Sequence, residues 1–157
     1  DKELYYTLTN KYLTTSSVSS DVGLNFKLSA GKLYKLSLLG TYQSTAQSVG
    51  IKLGFVSTSG TFDVSGFLTA LIAVGTSTTD NSCTIRAINA SSLTVGSFIL
   101  TTTVGGQTSV NVPHFVGGEI LINCIVGGQI RLQLASEVNG VQVQLNAGYT
   151  IILKQLN

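Results

Sequence analysis

The run Glu119-Ile120-Leu121-Ile122-Asn123-Cys124-Ile125-Val126-Gly127-Gly128-Gln129-Ile130-Arg131-Leu132-Gln133-Leu134-Ala135-Ser136 decides the fold class. Its apolar residues recur at every second position, the period of a strand with one face in a core. In its first half Ile120, Ile122, Cys124 and Val126 point one way, and Leu121 and Ile125 point the other, with Asn123 between them. An antiparallel strand usually keeps one wet face, so a strand apolar on both faces calls for a second covering layer, from the same chain or from another subunit. Leu39, Val56 and Ile152 break the polar side of their own strands in the same manner. The expected subunit-contact residues are therefore Leu39, Ile120, Leu121, Ile122, Ile125 and Ile152.

Outward from this run, Val-Gly-Gly occurs at Val104-Gly105-Gly106, Val116-Gly117-Gly118 and Val126-Gly127-Gly128, and Asn139-Gly140 follows. Glycine supplies the positive φ of tight turns, and Asn-Gly is a strong hairpin signal. Turns recurring about every 10–12 residues predict a sandwich or barrel. The strands predicted between them are Glu119–Val126, Gln129–Ser136, Val141–Leu145 and Tyr149–Gln155. Nearer the N-terminus, Tyr34, Leu36, Leu38, Gly40 and Tyr42 alternate with more polar residues; Gln43 to Ser48 turns the chain, and Ile51, Leu53 and Phe55 resume the pattern, which predicts a hairpin. Leu4–Thr9, Val22–Leu28, Cys83–Asn89 and Phe98–Val104 read as further strands, and Phe67–Val74 as a buried strand or a single helical turn.

Composition agrees. Of 157 residues only 10% are charged, against about 25% in an ordinary soluble domain. Ser and Thr make up about a quarter of the chain, with 17 Gly and 1 Pro. Disordered chains are richer in charge, and helical bundles need Glu, Lys, Arg and Gln on their exposed faces. The formal net charge is +2 and no Lys/Arg cluster supplies a phosphate-binding footprint, which argues against nucleic acid. No apolar run approaches the ~20 residues of a membrane-spanning helix, which argues against membrane insertion. The reading is one domain over residues 1–157, with 1–20 as an N-terminal arm or a first strand. The chain starts at Asp1 and has no Met, as a trimmed start or one domain of a longer polypeptide would.

The stretch Leu132-Gln133-Leu134-Ala135-Ser136-Glu137-Val138-Asn139-Gly140, continued by Val141 to Leu145 and by Ala147-Gly148-Tyr149-Thr150-Ile151-Ile152-Leu153-Lys154, resembles the C-terminal end of a group of tailed-bacteriophage virion proteins. Tyr34–Phe55, ending in Val49-Gly50-Ile51-Lys52-Leu53-Gly54-Phe55, is similar to an earlier segment of the same group. The resemblance covers roughly residues 31–55 and 119–154; the region 57–118 is unmatched. It implies a jelly roll similar to tumour necrosis factor, commonly a homotrimer, that serves as a tail-fibre or tail-tip module, a head fibre or a capsid decoration. The implied partners are further copies of the chain, other virion proteins and a host-surface glycan or protein. The implied location is the virion, assembled in the bacterial cytoplasm. The resemblance carries no site residue onto this chain.

Catalytic chemistry finds little purchase in the sequence. His114 is the single histidine, and no Gly-x-Ser-x-Gly elbow accompanies it. One His and two distant cysteines, Cys83 and Cys124, give no zinc-ligand spacing, and no cofactor motif is present. The expectation for both thiols is reduced and buried. Asp63 and Asp80 could meet across a sugar cleft, as glycosidase carboxylates do, although solvated loop positions suit them better. Arg131 and Glu137 are charges in a strongly apolar region, expected to find partners in another subunit. If the domain binds a ligand through loops at one end, Tyr42, Phe62, Phe67 and His114 are the candidates. No residue is assigned a catalytic or metal-binding role.

Overall fold

The computed structural model describes residues 3–73, 79–100 and 110–157. Its elements are all strands: β1 Glu3–Thr7, β2 Tyr12–Thr14, β3 Ser20–Leu28, β4 Lys32–Leu39, β5 Thr41–Ser44, β6 Ile51–Ile72, β7 Ser82–Leu93, β8 Phe98–Leu100, β9 His114–Ser136, β10 Val143–Leu145 and β11 Thr150–Gln155. Every ladder between them is antiparallel. The result is an all-β antiparallel sandwich around one core.

Two long strands organise it. β6 has 22 residues and β9 has 23, and they pair from Ile51↔Ser136 to Ala70↔Val116. The register shifts between Ser57 and Phe62. On β6 the buried residues are Ile51, Leu53 and Phe55 before the shift and Phe62, Val64, Leu68 and Ala70 after it. The buried set therefore changes from odd to even positions, as a one-residue bulge requires. On β9 the buried set keeps one phase, from Val116 through Ile120, Ile122 and Cys124 to Ile130, Leu132 and Leu134. Along the first half of β6, residues 51–57, the two strands sit between β3 and β8; along its second half, residues 61–70, they sit between β4 and β7. The second half extends across β4 and β11 to β1, giving the path β1-β11-β4-β9-β6-β7. The short strands β2, β10 and β5 reach β9 at Phe115 and His114.

Several sequence expectations change here. Val116-Gly117-Gly118 and Val126-Gly127-Gly128 lie inside β9 and form no hairpin turns. A Cβ at Gly118 would come within 2.1 Å of the Phe67 carbonyl oxygen, and one at Gly128 within 2.1 Å of that of Ser59. These glycines permit close approach of neighbouring strands. Val104-Gly105-Gly106 lies outside the described residues. The predicted hairpin of Tyr34–Tyr42 with Ile51–Phe55 is absent: β4 pairs with β9 and β11, β5 with β9 and β10, and β6 with β7, β8 and β9. Asn139-Gly140 does turn the chain, with Gly140 at φ 92° and Val141 N–H donating to Val138 O at 3.2 Å. The strands on either side, β9 and β10, pair with other partners. Phe67–Ile72 is strand, as part of β6. Glu3–Thr7 forms a first strand, with Tyr5 opposite Ile152.

Candidate assembly face

The path β1-β11-β4-β9-β6-β7 turns one side to the core and the other outward. Register fixes which residues share the outer side. One row runs Tyr5, Ile152, Ser37, Glu119, Phe67 and Ala87; the next runs Glu3, Lys154, Lys35, Leu121, Ser65 and Asn89. On the opposite flank Thr69 faces Ile85, and Leu71 faces Cys83. Phe67 and Leu121 are diagonal neighbours, close enough for large side chains to touch. Leu121 is 42% exposed, Ile125 45% and Phe67 43%, and Tyr5, Leu39, Leu71 and Ile85 are also exposed. Phe67 is diagonal to both Leu121 and Ile85, whereas Tyr5 and Ile152 are separated from Phe67 by Ser37 and Glu119, and Ile125 lies beyond Asn123.

Four charged residues stand in these two rows: Glu3, Lys154, Lys35 and Glu119. Lys35 Nζ and Glu119 Oε1 are 3.4 Å apart and partly exposed, so their pairing contributes at most about 1 kcal/mol. Gly66 leaves a hollow of about 250 Å³ on the same face, between Phe67, Leu121 and the Lys35–Glu119 pair. A side chain there is forbidden, because a Cβ would sit 2.2 Å from the Glu119 carbonyl oxygen.

The structure separates the expected contact residues. Leu39, Leu121 and Ile125 are exposed, and half-buried Ile152 shares the outer row with Tyr5. Ile120 and Ile122 are fully buried in the chain's own core, because they occupy the inward phase of β9, and are unavailable to another subunit. Val126, which alternation places on the same side as Ile120 and Ile122, is exposed at 54%, because it lies where the β6–β9 register shifts. Arg131 finds its partner at home: Nη1 donates to Asp21 Oδ2 at 2.7 Å. Glu137 Oε2 accepts from Gly50 N–H at 2.8 Å, and its own N–H donates to Gly50 O. Neither charge waits for a neighbouring subunit.

The expected ligand-binding group does not assemble on the surface. Tyr42 and Phe62 are fully buried in the core, and His114 is only 2% exposed; Phe67 alone of the four is on a surface. The bulge in β6 turns Phe62 inward. His114 opens β9 opposite Tyr42, with ring centroids 5.8 Å apart. Its Nδ1 lies 2.5 Å from Asp80 Oδ1, and Nε2 is buried with no hydrogen-bond partner among the described residues. This pair ties the start of β9 to the segment preceding β7. Asp63 instead accepts from Ser92 N–H at 2.8 Å and from Asn123 Nδ2 at 3.5 Å. Asn123 and His114 are nine positions apart on β9, so Asp63 and Asp80 are separated by roughly 30 Å at strand rise. They form no shared cleft.

Both cysteines are free. Cys124 is buried, and burial pushes its thiol pKa up, which keeps it protonated and unreactive. Cys83 is exposed on β7, contrary to the expectation of burial, because it lies on the outer side opposite Leu71. Sequence reasoning missed Tyr5, Leu71 and Ile85 as members of the outer face. Their alternation was visible, but which phase faced outward depended on pairings between distant strands.

No protein-family model matches the chain, and no curated protein matches it in sequence. Among solved structures, the VP2 subviral particle of infectious bursal disease virus matches at 14% identity over 98% of this chain and 40% of that one, with TM-score 0.29. The Gx strain of the same virus matches at 16% identity over 99% and 41%, with TM-score 0.30. The CBM22-1–GH10 modules of Clostridium thermocellum xylanase 10B, complexed with xylohexaose, match at 13% identity over 91% and 24%, with TM-score 0.28. This chain spans less than half the length of each. At such scores the likeness assigns no activity or partner to this chain.

Proposed function

We propose that this chain is a non-enzymatic structural module of a bacteriophage virion, a tail-fibre or tail-tip domain that forms a homotrimer and binds a host-surface glycan or protein. The observation that carries the reading is the outer face of β1-β11-β4-β9-β6-β7. Leu121, Ile125, Phe67 and Leu39 are exposed by their own chain, and the charges beside them include a Lys35–Glu119 pair. Transfer of such surface out of water contributes roughly 25 cal/mol per Å², and other subunits of the particle supply the cover. The likeness of the Leu132–Lys154 stretch to phage virion proteins supports the same reading.

The wide separation of Asp63 and Asp80 supports binding over hydrolysis, since glycosidase carboxylates stand about 5–10 Å apart. The test is to incubate labelled protein with host cells and, in parallel, with capsids lacking the protein. Binding to cells alone is expected. Binding to capsids alone reassigns the chain to decoration. Cleavage of host polysaccharide that Asp63→Ala or Asp80→Ala abolishes would overturn the non-enzymatic reading.

A further inference from the structure

A ring of three identical copies cannot use a two-fold, self-matching contact; each copy must offer two different patches, one that protrudes and one that receives. The outer face carries both. The receiving patch is the hollow of about 250 Å³ over Gly66, walled by Phe67 and Leu121 and rimmed by Ser65, Lys35 and Glu119. It is smaller than the roughly 300 Å³ at which small-ligand sites begin, and it suits a single anchoring side chain of the kind on which interfaces concentrate their energy. The protruding patch is Leu39 at the end of β4, which is 47% exposed. Register makes half-buried Ile152 its diagonal neighbour, so two aliphatic side chains stand together there. Ile85 is diagonal to Phe67 and belongs to the wall side of the face. Lys35, Leu121 and Ser65 share one row, which puts Leu39 two strands and four residues from Ser65, roughly 17 Å away. A chain therefore cannot seat its own Leu39 in its own hollow.

We infer that the ring of three closes by seating Leu39 of each copy in the Gly66 hollow of the next, with the leucine methyl groups against Phe67 and Leu121. The occupant is a second copy of this chain because neither patch carries net charge. Lys35 and Glu119 offset each other at the hollow, and Thr150, opposite Leu39, and Thr7 beyond it are neutral, so copies approach without like-charge repulsion. The hollow stays open for the incoming side chain, since a Cβ on Gly66 would meet the Glu119 carbonyl oxygen at 2.2 Å. The inference rests on the homotrimer reading above and adds the contact that closes it.

The experiment is disulfide trapping in the whole chain carrying Cys83→Ser, which removes the exposed thiol, together with Leu39→Cys and Ser65→Cys. A disulfide needs Cα atoms within about 7 Å, so the two new cysteines cannot join within one chain. Mild oxidation is expected to give a covalent species of three chains on a non-reducing denaturing gel, and neither single cysteine variant is expected to give it. In a second arm, Ser65→Trp fills the hollow from an exposed position. It is expected to raise the concentration at which the trimer dissociates at least tenfold, with Ser65→Ala unchanged and circular dichroism confirming that both are folded. Light scattering of wild type separates the outcomes. A wild-type trimer whose cysteine pair gives no cross-link, or whose Ser65→Trp variant assembles as tightly, would overturn the seat and leave the homotrimer reading intact. A wild-type monomer or dimer would remove that reading and the seat with it.

Discussion

The two Val-Gly-Gly stretches of β9 have the same three residues and opposite surroundings. At Val116-Gly117-Gly118 the valine is fully buried, and both glycines face carbonyl oxygens of neighbouring strands: Leu38 O lies 2.3 Å from a Cβ built on Gly117, and Phe67 O 2.1 Å from one on Gly118. At Val126-Gly127-Gly128 the valine is exposed and the strand pair changes register. Gly127 has only Ala30 N within 3.2 Å, while Gly128 is crowded by Ser59. In the first stretch both glycines let neighbouring strands approach; in the second only Gly128 does, and Gly127 has room beside it. A glycine pair in a β-rich sequence thus marks a place where a side chain is intolerable, without telling whether the chain turns there.

That contrast yields measurable differences. Gly118→Val should destabilise by more than about 3 kcal/mol, because the obstructing atoms are backbone and cannot rotate away. Gly127→Val at the corner should cost about 1 kcal/mol or less by chemical denaturation. Comparable losses at the two positions would break the contrast. Val116→Ala should cost about 2 kcal/mol, as a buried truncation does, whereas Val126→Ala should stay within about 0.5 kcal/mol.

A third glycine sharpens the comparison. A Cβ at Gly40 would overlap the Tyr149 ring, at 2.2 Å from Cδ2. That ring is fully buried, its hydroxyl has no hydrogen-bond partner among the described residues, and burial pushes the phenol pKa far above its ordinary value of 10.0. Tyr149→Phe should therefore be neutral or stabilising by up to about 1 kcal/mol, since it removes an unsatisfied buried group. The pH dependence follows from the raised pKa. Above about pH 10 the unfolded chain releases the proton that the folded chain retains, so stability falls as pH rises. Tyr149→Phe should flatten that alkaline decline, read from denaturation midpoints between pH 8 and 11. The smallest energetic effect separates the thiols: Cys83 should react with a thiol reagent in the native protein, and Cys124 only after unfolding. Simultaneous reaction of both would contradict the burial of β9.

Local alternation was enough to read the fold class, because period two survives in almost every strand. Partner choice was harder to read. β6 and β9 pair over their whole lengths, and a one-residue bulge between Ser57 and Phe62 reverses which residues face the core. Phe62 consequently looked available in the sequence and is buried in the fold. Ile120 and Leu121 looked equally apolar, and the phase of β9 buries one and exposes the other. The Arg131–Asp21 and Glu137–Gly50 contacts join residues distant in sequence, so no local pattern foretells them. The outer face was half legible. Leu121 and Ile125 stood out as apolar residues on the wrong side of a strand, whereas Tyr5 and Ile85 join them only through the register of β1 and β7.

The most direct test of assembly through this face is the mass in solution, by light scattering, of wild type and of the double variant Leu121→Asp, Ile125→Asp at micromolar concentration. Wild type is expected at three times the 16.5 kDa chain mass and the variant at one times that mass, with an unchanged β-sheet circular dichroism spectrum. A wild-type monomer, or a variant that remains a trimer, would contradict the account.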